Sequence, residues 1–143
     1  MKMNKFFMLM CLTLGAGSVH AADTMHEFDF NQAVSRAIAE GQLDGTVKFY
    51  LAGTRSGGKV ISKDLVTNKK TNGFAKSAET ACDHVLRSAL IQFQNTAKAK
   101  GANAVTNLVS FYKSNEFKSK TNYQCAKGTA IAGVALKGDI VKL

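Results

Sequence analysis

The sequence predicts an α+β fold in which a mainly antiparallel sheet of about four strands is covered by one long helix, with a short N-terminal helix before them. Three observations predict it: a segment of helical length with one wide apolar face, strand-like segments before and after it, and two cysteines that can join the layers. The order strand, strand, long helix, strand, strand is typical of one sheet with a helix on one face. We assign this single domain to residues 22–143.

The first 21 residues have the pattern of a secretory signal peptide. Lys2 and Lys5 precede an apolar run over residues 6–14, and Val19 and Ala21 occupy the positions that a signal peptidase reads. We expect cleavage near Ala21 and a soluble periplasmic or secreted protein. No later stretch approaches about 18 uncharged apolar residues, so the sequence predicts no transmembrane segment after cleavage.

A short helix is predicted close to the mature N-terminus. Residues 22–28 are polar and are expected to be mobile. Asp29 or Asn31 can cap a helix that ends near Glu40, because the side chains of both residues accept hydrogen bonds from free helical N–H groups. Gly41 then provides its stop.

Two strands are predicted next, over residues 46–52 and 59–66, because apolar and polar side chains alternate in the first and β-branched residues are frequent in the second. The glycine-rich residues 53–58 between them have the composition of a hairpin connection. The polar segment TNKKTNG, residues 67–73, is expected to be turn-like.

The clearest predicted element is a long helix over residues 77–100. Ser77 is a good N-cap, Glu79 lies in the first turn, Lys98 lies in the last turn, and Gly101 can take the left-handed terminating conformation. Its apolar face comprises Ala78, Ala81, Cys82, Val85, Leu86, Ala89, Leu90, Phe93 and Ala97.

The remaining strands are predicted after this helix. Residues 103–112 alternate as a strand does, and residues 113–122 are charged and are expected to form an exposed connection. Tyr123 and Cys125 lie two residues apart and therefore share one strand face. Residues 128–136 are small and β-branched without polar alternation, which indicates a central strand buried on both sides.

The mature chain retains two cysteines, Cys82 and Cys125, and an even pair in a small exported domain is usually a disulfide. Closing a loop of about 43 residues would stabilise the fold by roughly 3 to 4 kcal/mol. A metal site or a reactive thiol is a weaker alternative, because CxxC spacing is absent and His84 points away from Cys82 on a helix. The bond would fasten the long helix to the sheet.

The segment GTRSGGKV, Gly53 to Val60, resembles a phosphate-binding loop. In such a loop a Ser or Thr follows the lysine and a helix begins at once. Here Val60 replaces the hydroxyl and the β-branched Ile61 follows it. The sequence therefore predicts no ATP binding, and neither ATPase nor excinuclease activity.

No other catalytic pattern is present. His26 and His84 have no Ser or Cys nucleophile with an orienting acid nearby in the sequence. Asp44, Asp64 and Asp139 are interpreted as turn formers. We expect no enzyme, no catalytic residue, no metal and no cofactor.

Three segments carry a family resemblance: TNKKTNGFAKSAETAC, LRSALIQFQNTAKAKGANAVTNLVSFYKSNEF and YQCAKGTAIAGVALKG. They resemble a family of small exported bacterial proteins of unknown function, some labelled excinuclease ATPase subunit. The resemblance covers about residues 44–142 and implies a shared fold and a Cys82–Cys125 bond. The helix ending in GANAV is also similar to the domain of the envelope stress sensor RcsF and the YbjQ-like proteins, which are respectively a disulfide-containing sensor and proteins proposed to bind metal or form rings.

These observations lead to two main functional hypotheses. The first is a non-enzymatic interaction or envelope-stress module whose partner is an envelope protein or an anionic envelope polymer. The second is a basic domain that binds lipopolysaccharide or nucleic acid, since the whole chain carries 19 basic and 10 acidic residues. Its candidate anion-binding residues are Lys59, Lys63, Lys69, Lys70, Lys118 and Lys120. A third, envelope hydrolysis, would require a cleft lined by His84 or paired acids.

Overall fold

The computed structural model describes residues 23–143, which form a curled sheet of six strands with two α-helices and one apolar core. In chain order the elements are β1 (Thr24–Asp29), α1 (Phe30–Ala39), β2 (Lys48–Leu51), β3 (Lys59–Asn72), α2 (Ala78–Ala99), β4 (Ala104–Ser110), β5 (Asn122–Lys127) and β6 (Ile131–Lys142). The α+β class is confirmed, although the sheet has more strands than expected. The predicted signal peptide lies outside the described residues.

Both helices begin at side chains that cap them. The Asp29 carboxylate accepts a hydrogen bond from the Gln32 N–H at 2.8 Å, which starts α1. The Ser77 hydroxyl accepts one from the Thr80 N–H at 3.1 Å, which starts α2. Gly101 has a φ of +67° just past the end of α2. The predicted long helix over residues 77–100 is confirmed. No helix within residues 23–143 is long and apolar enough to cross a membrane.

β6 is the central strand of the sheet. β3 pairs antiparallel with it over nearly its whole length, from Ile131 to Lys142. On the other side of β6, β5 pairs with its first part and β4 with its second part. β1 lies outside β5, and β2 lies outside β4 in the one parallel pairing. The predicted central position of residues 128–136 is therefore confirmed for the part within β6.

The core fills the space between the helices and one face of the sheet. α2 contributes Leu86, Leu90 and Phe93, which have no exposed surface. Gly138 of β6 faces the core, where an added Cβ would lie 2.7 Å from Leu108 Cδ2. The absence of a side chain at this position thus lets β4 and β6 pack closely under the helix.

The N-terminal segment is the first correction. Residues 22–28 were expected to be mobile, but Thr24–Asp29 form β1, which pairs with β5 and places His26 opposite Cys125. The physical reason is long-range pairing: β5 supplies the hydrogen-bond partners that make a polar segment extended. Residue 22 lies outside the described residues.

The segment TNKKTNG is the second correction, because β3 continues through it to Asn72 rather than turning. Lys69 pairs with Val134, Lys70 with Gly133 and Thr71 with Ala132. β6 provides a partner along this stretch, and such a partner outweighs the low strand propensity of polar residues.

The connection over residues 53–58 is the third correction, because it does not join a hairpin. β2 pairs with β4 and β3 pairs with β6, so two strands lie between β2 and β3. The connection passes beside the end of β6, where an added Cβ on Gly58 would lie 2.6 Å from Val141 Cγ1. Gly58 has a φ of +84°, in the left-handed region that favours glycine.

Candidate functional site

The cysteine pair joins α2 to β5. Cys82 and Cys125 are bonded, with their Cα atoms 5.8 Å apart, and neither has exposed surface. Cys82 lies on the apolar face of α2, and Cys125 lies on the face of β5 that meets it. A fully buried disulfide is protected from reductants and partners, so its role in this site is mechanical. It fixes the helix against one side of the sheet.

The six candidate lysines lie in two separate places. Four of them are on β3, namely Lys59, Lys63, Lys69 and Lys70, and two are in the connection between β4 and β5, namely Lys118 and Lys120. Lys69 and Lys70 project from opposite faces of the sheet, because successive side chains of a strand alternate. Lys120 packs against Gly53, beside β2. The structure brings four lysines onto one strand and leaves the other two beyond β6.

The outer edge of β3 is open. Among the described residues β3 pairs only with β6, which contacts its other edge. The register runs without a shift from Leu65 to Asn72. At about 3.3 Å per residue this regular part is roughly 26 Å long. We call Leu65–Asn72 the β3 edge.

Two hydrogen bonds show which backbone groups of the β3 edge face outward. The Gly73 N–H donates to the Ala130 carbonyl at 2.8 Å, so Gly73 faces β6. The Ala135 carbonyl accepts from the Phe111 N–H at 2.8 Å on the far side of β6, so its partner Asn68 is not hydrogen-bonded to it. Backbone direction alternates along an antiparallel strand. The outward-facing residues are therefore Val66, Asn68, Lys70 and Asn72.

The side chains of these outward-facing residues are also exposed. They lie on the sheet face opposite α2, where Val66 is 45 % exposed. At the end of the β3 edge, Ile131 of β6 is 54 % exposed and borders a shallow depression with Lys70 and Asn72. The volume of this depression is about 310 Å³. Apolar contact surface and free backbone groups thus occur together.

A β-bulge separates the β3 edge from the start of the strand. The pairing shifts between Val60 and Leu65, and Asp64 has a φ of +53°. The buried Asp139 carboxylate accepts a hydrogen bond from the Asp64 N–H at 2.9 Å. The prediction of Asp139 as a turn former is therefore wrong: it lies within β6 and holds the bulge. Bulges interrupt an edge and define where regular pairing can begin.

A second cavity of about 200 Å³ lies near the glycine-rich connection. It is lined by Asn31, Phe49, Tyr50, Leu51, Thr54 and Lys120. Arg55 lies over the Tyr50 ring, 5.7 Å from its centre. Lys120 is the only charged side chain of this lining, and it is exposed. The GTRSGGKV segment thus continues into a strand, β3, whose first residue is Lys59. It does not continue into a helix whose N-terminus could bind a phosphate.

The charged residues between the helices form a closed network. Arg87 is 7 % exposed and donates to Asp83 at 2.8 Å, to Gln42 at 2.8 Å and to Glu40. Arg36 donates to Asp83 at 3.1 Å. The hydrogen bond from Arg87 lowers the pKa of the Glu40 carboxyl, and the same bond raises the pKa of Arg87. These groups are paired with one another and hold α1 against α2.

The remaining titratable candidates are separated from one another. His26 on β1 stacks on Phe28, with ring centres 5.9 Å apart, and His84 is exposed on α2. Asp44 accepts hydrogen bonds from Lys98 and Thr46, which lower its pKa. Within residues 23–143 no group of three or more His, Cys, Asp or Glu side chains could hold a metal ion.

No family model matches this sequence, and no curated protein matches it. The functional argument therefore depends on the geometry of the chain itself. Sequence reasoning found the lysines of β3 but missed the open edge that they accompany. In the sequence, the stretch from Lys59 to Asn72 contains no Gly or Pro. It could therefore have been predicted as one continuous strand.

Proposed function

We propose that this protein is an exported, non-enzymatic interaction module that binds a partner in the cell envelope through the β3 edge. One observation carries the proposal: a regular strand segment of about 26 Å has one edge without a partner among the described residues. Such an edge presents a row of N–H and C=O groups that can pair with another chain. The N-terminal sequence pattern and the cysteine pair support export to the periplasm or the medium.

The fold supports this role because the β3 edge is backed by a rigid body. β6 hydrogen-bonds to β3 along its length, and α2 packs on the same pair of strands. The disulfide fixes α2 to β5 on the far side of β6. A binding edge held by a packed scaffold does not lose much conformational freedom when a partner is bound.

Binding of an anionic envelope polymer is the alternative, and the four lysines of β3 favour it. The division of those lysines between the two sheet faces, and the distance of Lys118 and Lys120 from them, support a protein partner more strongly. A polymer would engage a continuous basic face, and its affinity would fall steeply with salt.

The experiment that tests the proposed function is site-specific crosslinking in living cells. A photoreactive amino acid is placed at Asn68, whose side chain is exposed beside the outward-facing backbone. The matched control places it at Lys118, which is also exposed but lies beyond β6. We expect discrete protein adducts of defined mass in the envelope fraction from Asn68 and none from Lys118.

Three outcomes would contradict the proposed function. The absence of any adduct from Asn68 would mean that the β3 edge meets no partner in the cell. Equal adducts from both positions would indicate unspecific contacts. A smear of adducts with polysaccharide in place of a discrete protein would favour the polymer alternative.

A further inference from the structure

We propose that the ligand of the β3 edge is an extended acidic peptide segment, which adds to the sheet as a further strand and places an apolar side chain against Ile131. This inference rests on the proposed function and gives the partner its chemistry. Three observations support it: the direction of the free backbone groups, the charge of β3, and the apolar depression at its end.

The backbone of the β3 edge selects an extended ligand. Val66, Asn68, Lys70 and Asn72 each direct an N–H and a C=O away from β6, as the bonds at Gly73 and Ala135 show. Groups spaced by two residues along a strand are satisfied together only by another extended backbone. A compact ligand or a helix could satisfy very few of them. The bulge at Asp64 limits the paired segment to about eight residues.

The charge of β3 selects an acidic ligand. Within the β3 edge the charged residues are Lys69 and Lys70, and the edge has no acidic residue; Lys59 and Lys63 lie beyond the bulge on the same strand. Because Lys69 and Lys70 project from opposite faces, an added strand would place one row of its side chains beside each of them. Acidic residues in either row would therefore meet a lysine, and opposite charges in cross-strand pairs are favourable.

The same charge argues against a second copy of this chain as the occupant. Two copies pairing through the β3 edge would each bring Lys69 and Lys70, and no acidic side chain, to the shared edge. Like charges across a strand pair are destabilising, and edge lysines are a known means of preventing such self-association. The side chains of an acidic segment would instead be attracted to these lysines.

The depression at Ile131 defines one end of the ligand. It lies on the sheet face opposite α2, bordered by Lys70, Asn72 and Ile131. Ile131 is half exposed at the point where β3 and β6 end together, because Asn72 pairs with Ile131. An apolar side chain of the added strand would cover this surface, and its neighbours in the ligand would project from the other face, where Lys69 can meet an acidic one. The preferred ligand thus alternates acidic and apolar residues.

The test measures binding of a blocked synthetic peptide of about eight residues that alternates glutamate and valine, a length that matches the β3 edge. The matched peptides are a lysine and valine alternation, the glutamate and valine peptide with a central proline, and polyglutamate of equal charge. Binding is followed by amide exchange of the purified protein in nuclear magnetic resonance spectra. We expect the peptide to slow amide exchange at Val66, Asn68, Lys70 and Asn72. The exchange rate at Thr67, whose N–H faces β6, should not change.

Two pairs of variants test the backbone and charge arguments. Asn68→Pro removes one outward N–H without removing a bond to β6, and Asn68→Ala keeps that N–H. We expect the proline variant to bind about tenfold more weakly, the effect of one lost hydrogen bond of about 1.4 kcal/mol. Charge reversal by Lys69→Glu with Lys70→Glu is compared with Lys118→Glu with Lys120→Glu. Only the first pair should weaken binding, and this test remains valid if the proline variant fails to fold.

Each other outcome overturns the proposal. Equal binding of polyglutamate or of the proline-containing peptide would show attraction by charge without strand addition. Binding of the lysine peptide would contradict the charge argument. A dimer that the peptide dissociates would show that a second copy is the occupant. If no peptide binds while the crosslink at Asn68 persists, the ligand chemistry is wrong and the proposed function remains; if the crosslink is also absent, both fail.

Discussion

β5 and β3 lie on opposite sides of β6, and they are held in very different ways. Gly133 of β6 pairs with Ala126 of β5 on one side and with Lys70 of β3 on the other. β5 is covered by β1 and bonded to α2 through Cys125. β3 is longer, mostly exposed, and has an open outer edge among the described residues.

The difference shows how a small domain can be rigid and still offer an edge for binding. Paired and covalently linked strands on one side fix the position of β6, and β6 in turn holds β3 straight. The open strand therefore needs no covering of its own to stay extended. Lysines on that strand limit self-association while the edge stays available.

The largest expected effect on stability comes from removing the Cys82–Cys125 disulfide, which joins α2 to β5. The double variant Cys82→Ala, Cys125→Ala should lower the free energy of unfolding by about 4 kcal/mol, the value of the chain-entropy model for this loop. Urea denaturation measures it. Reductant present during the urea titration reaches the bond in unfolded molecules, so it should destabilise the wild-type protein to the level of the variant and leave the variant unchanged. A difference below about 1 kcal/mol would contradict the mechanical role of the bond.

The next effect concerns close packing in the strand that both sides share. Gly138→Ala would place its Cβ 2.7 Å from Cδ2 of Leu108, a core residue without exposed surface. Overpacking of this kind should cost about 1 to 3 kcal/mol of unfolding free energy. Gly133→Ala is the control on the same strand, because its Cβ would meet the Tyr112 ring at 3.4 Å. Equal losses for both variants would contradict the packing argument.

A smaller and opposite effect is expected on the β3 side. Thr67 is 1 % exposed, and its hydroxyl has no hydrogen-bond partner within residues 23–143. Thr67→Val removes this buried polar group and should stabilise the protein by about 1 kcal/mol, measured by urea denaturation. Thr71→Val changes a half-buried residue on the same face and should have less effect. Destabilisation by Thr67→Val alone would refute the assignment of an unsatisfied hydroxyl.

The smallest effect concerns exposed ion pairs of the helical layer. The pKa values of Glu40 and Asp44 are lowered in the folded state by hydrogen bonds from Arg87 and Lys98, respectively. Their stabilisation is complete above the unfolded pKa values of 4.5 and 3.8 and is lost as the pH falls through the lowered folded values. Thermal unfolding between pH 7 and pH 2 measures the loss, which begins as the pH falls towards these two unfolded values.

Variants of Glu40 and Asp44 test whether these two carboxylates cause the loss of stability in acid. Glu40→Gln and Asp44→Asn should each reduce the fall of the melting temperature on acidification. Glu27→Gln, an exposed change on β1, serves as the control and should leave the fall unchanged. Identical pH profiles for all three variants and the wild type would mean that other carboxylates cause the acid sensitivity.

The sequence was sufficient to predict the elements that carry their own signals. Ser77 and Gly101 bound α2 correctly because capping and left-handed termination are local properties. The central position of β6 followed from the lack of polar alternation in residues 128–136. The cysteine pair was recognised because only two cysteines follow the predicted cleavage position.

The sequence was not sufficient where an element depends on a distant partner. β1 is a polar strand that forms because β5 pairs with it, and the second half of β3 is polar on both faces and forms because β6 pairs with it. The predicted hairpin failed for the same reason, since nothing in residues 53–58 shows that β2 pairs with β4. The same reason explains why the candidate site was only partly predicted. Its lysines can be read from the sequence, whereas an open edge depends on how all the strands of the sheet pair.

The position of β6 in the chain has a consequence for how the molecule is made. β6, Ile131–Lys142, pairs with β3, β4 and β5 and follows all three in the chain. Because a chain is synthesised from its N-terminus, these three strands emerge before their shared neighbour, and their pairing with it must await residues 131–142. Until then β3 has no strand partner within the described residues, and its polar character limits aggregation during that interval.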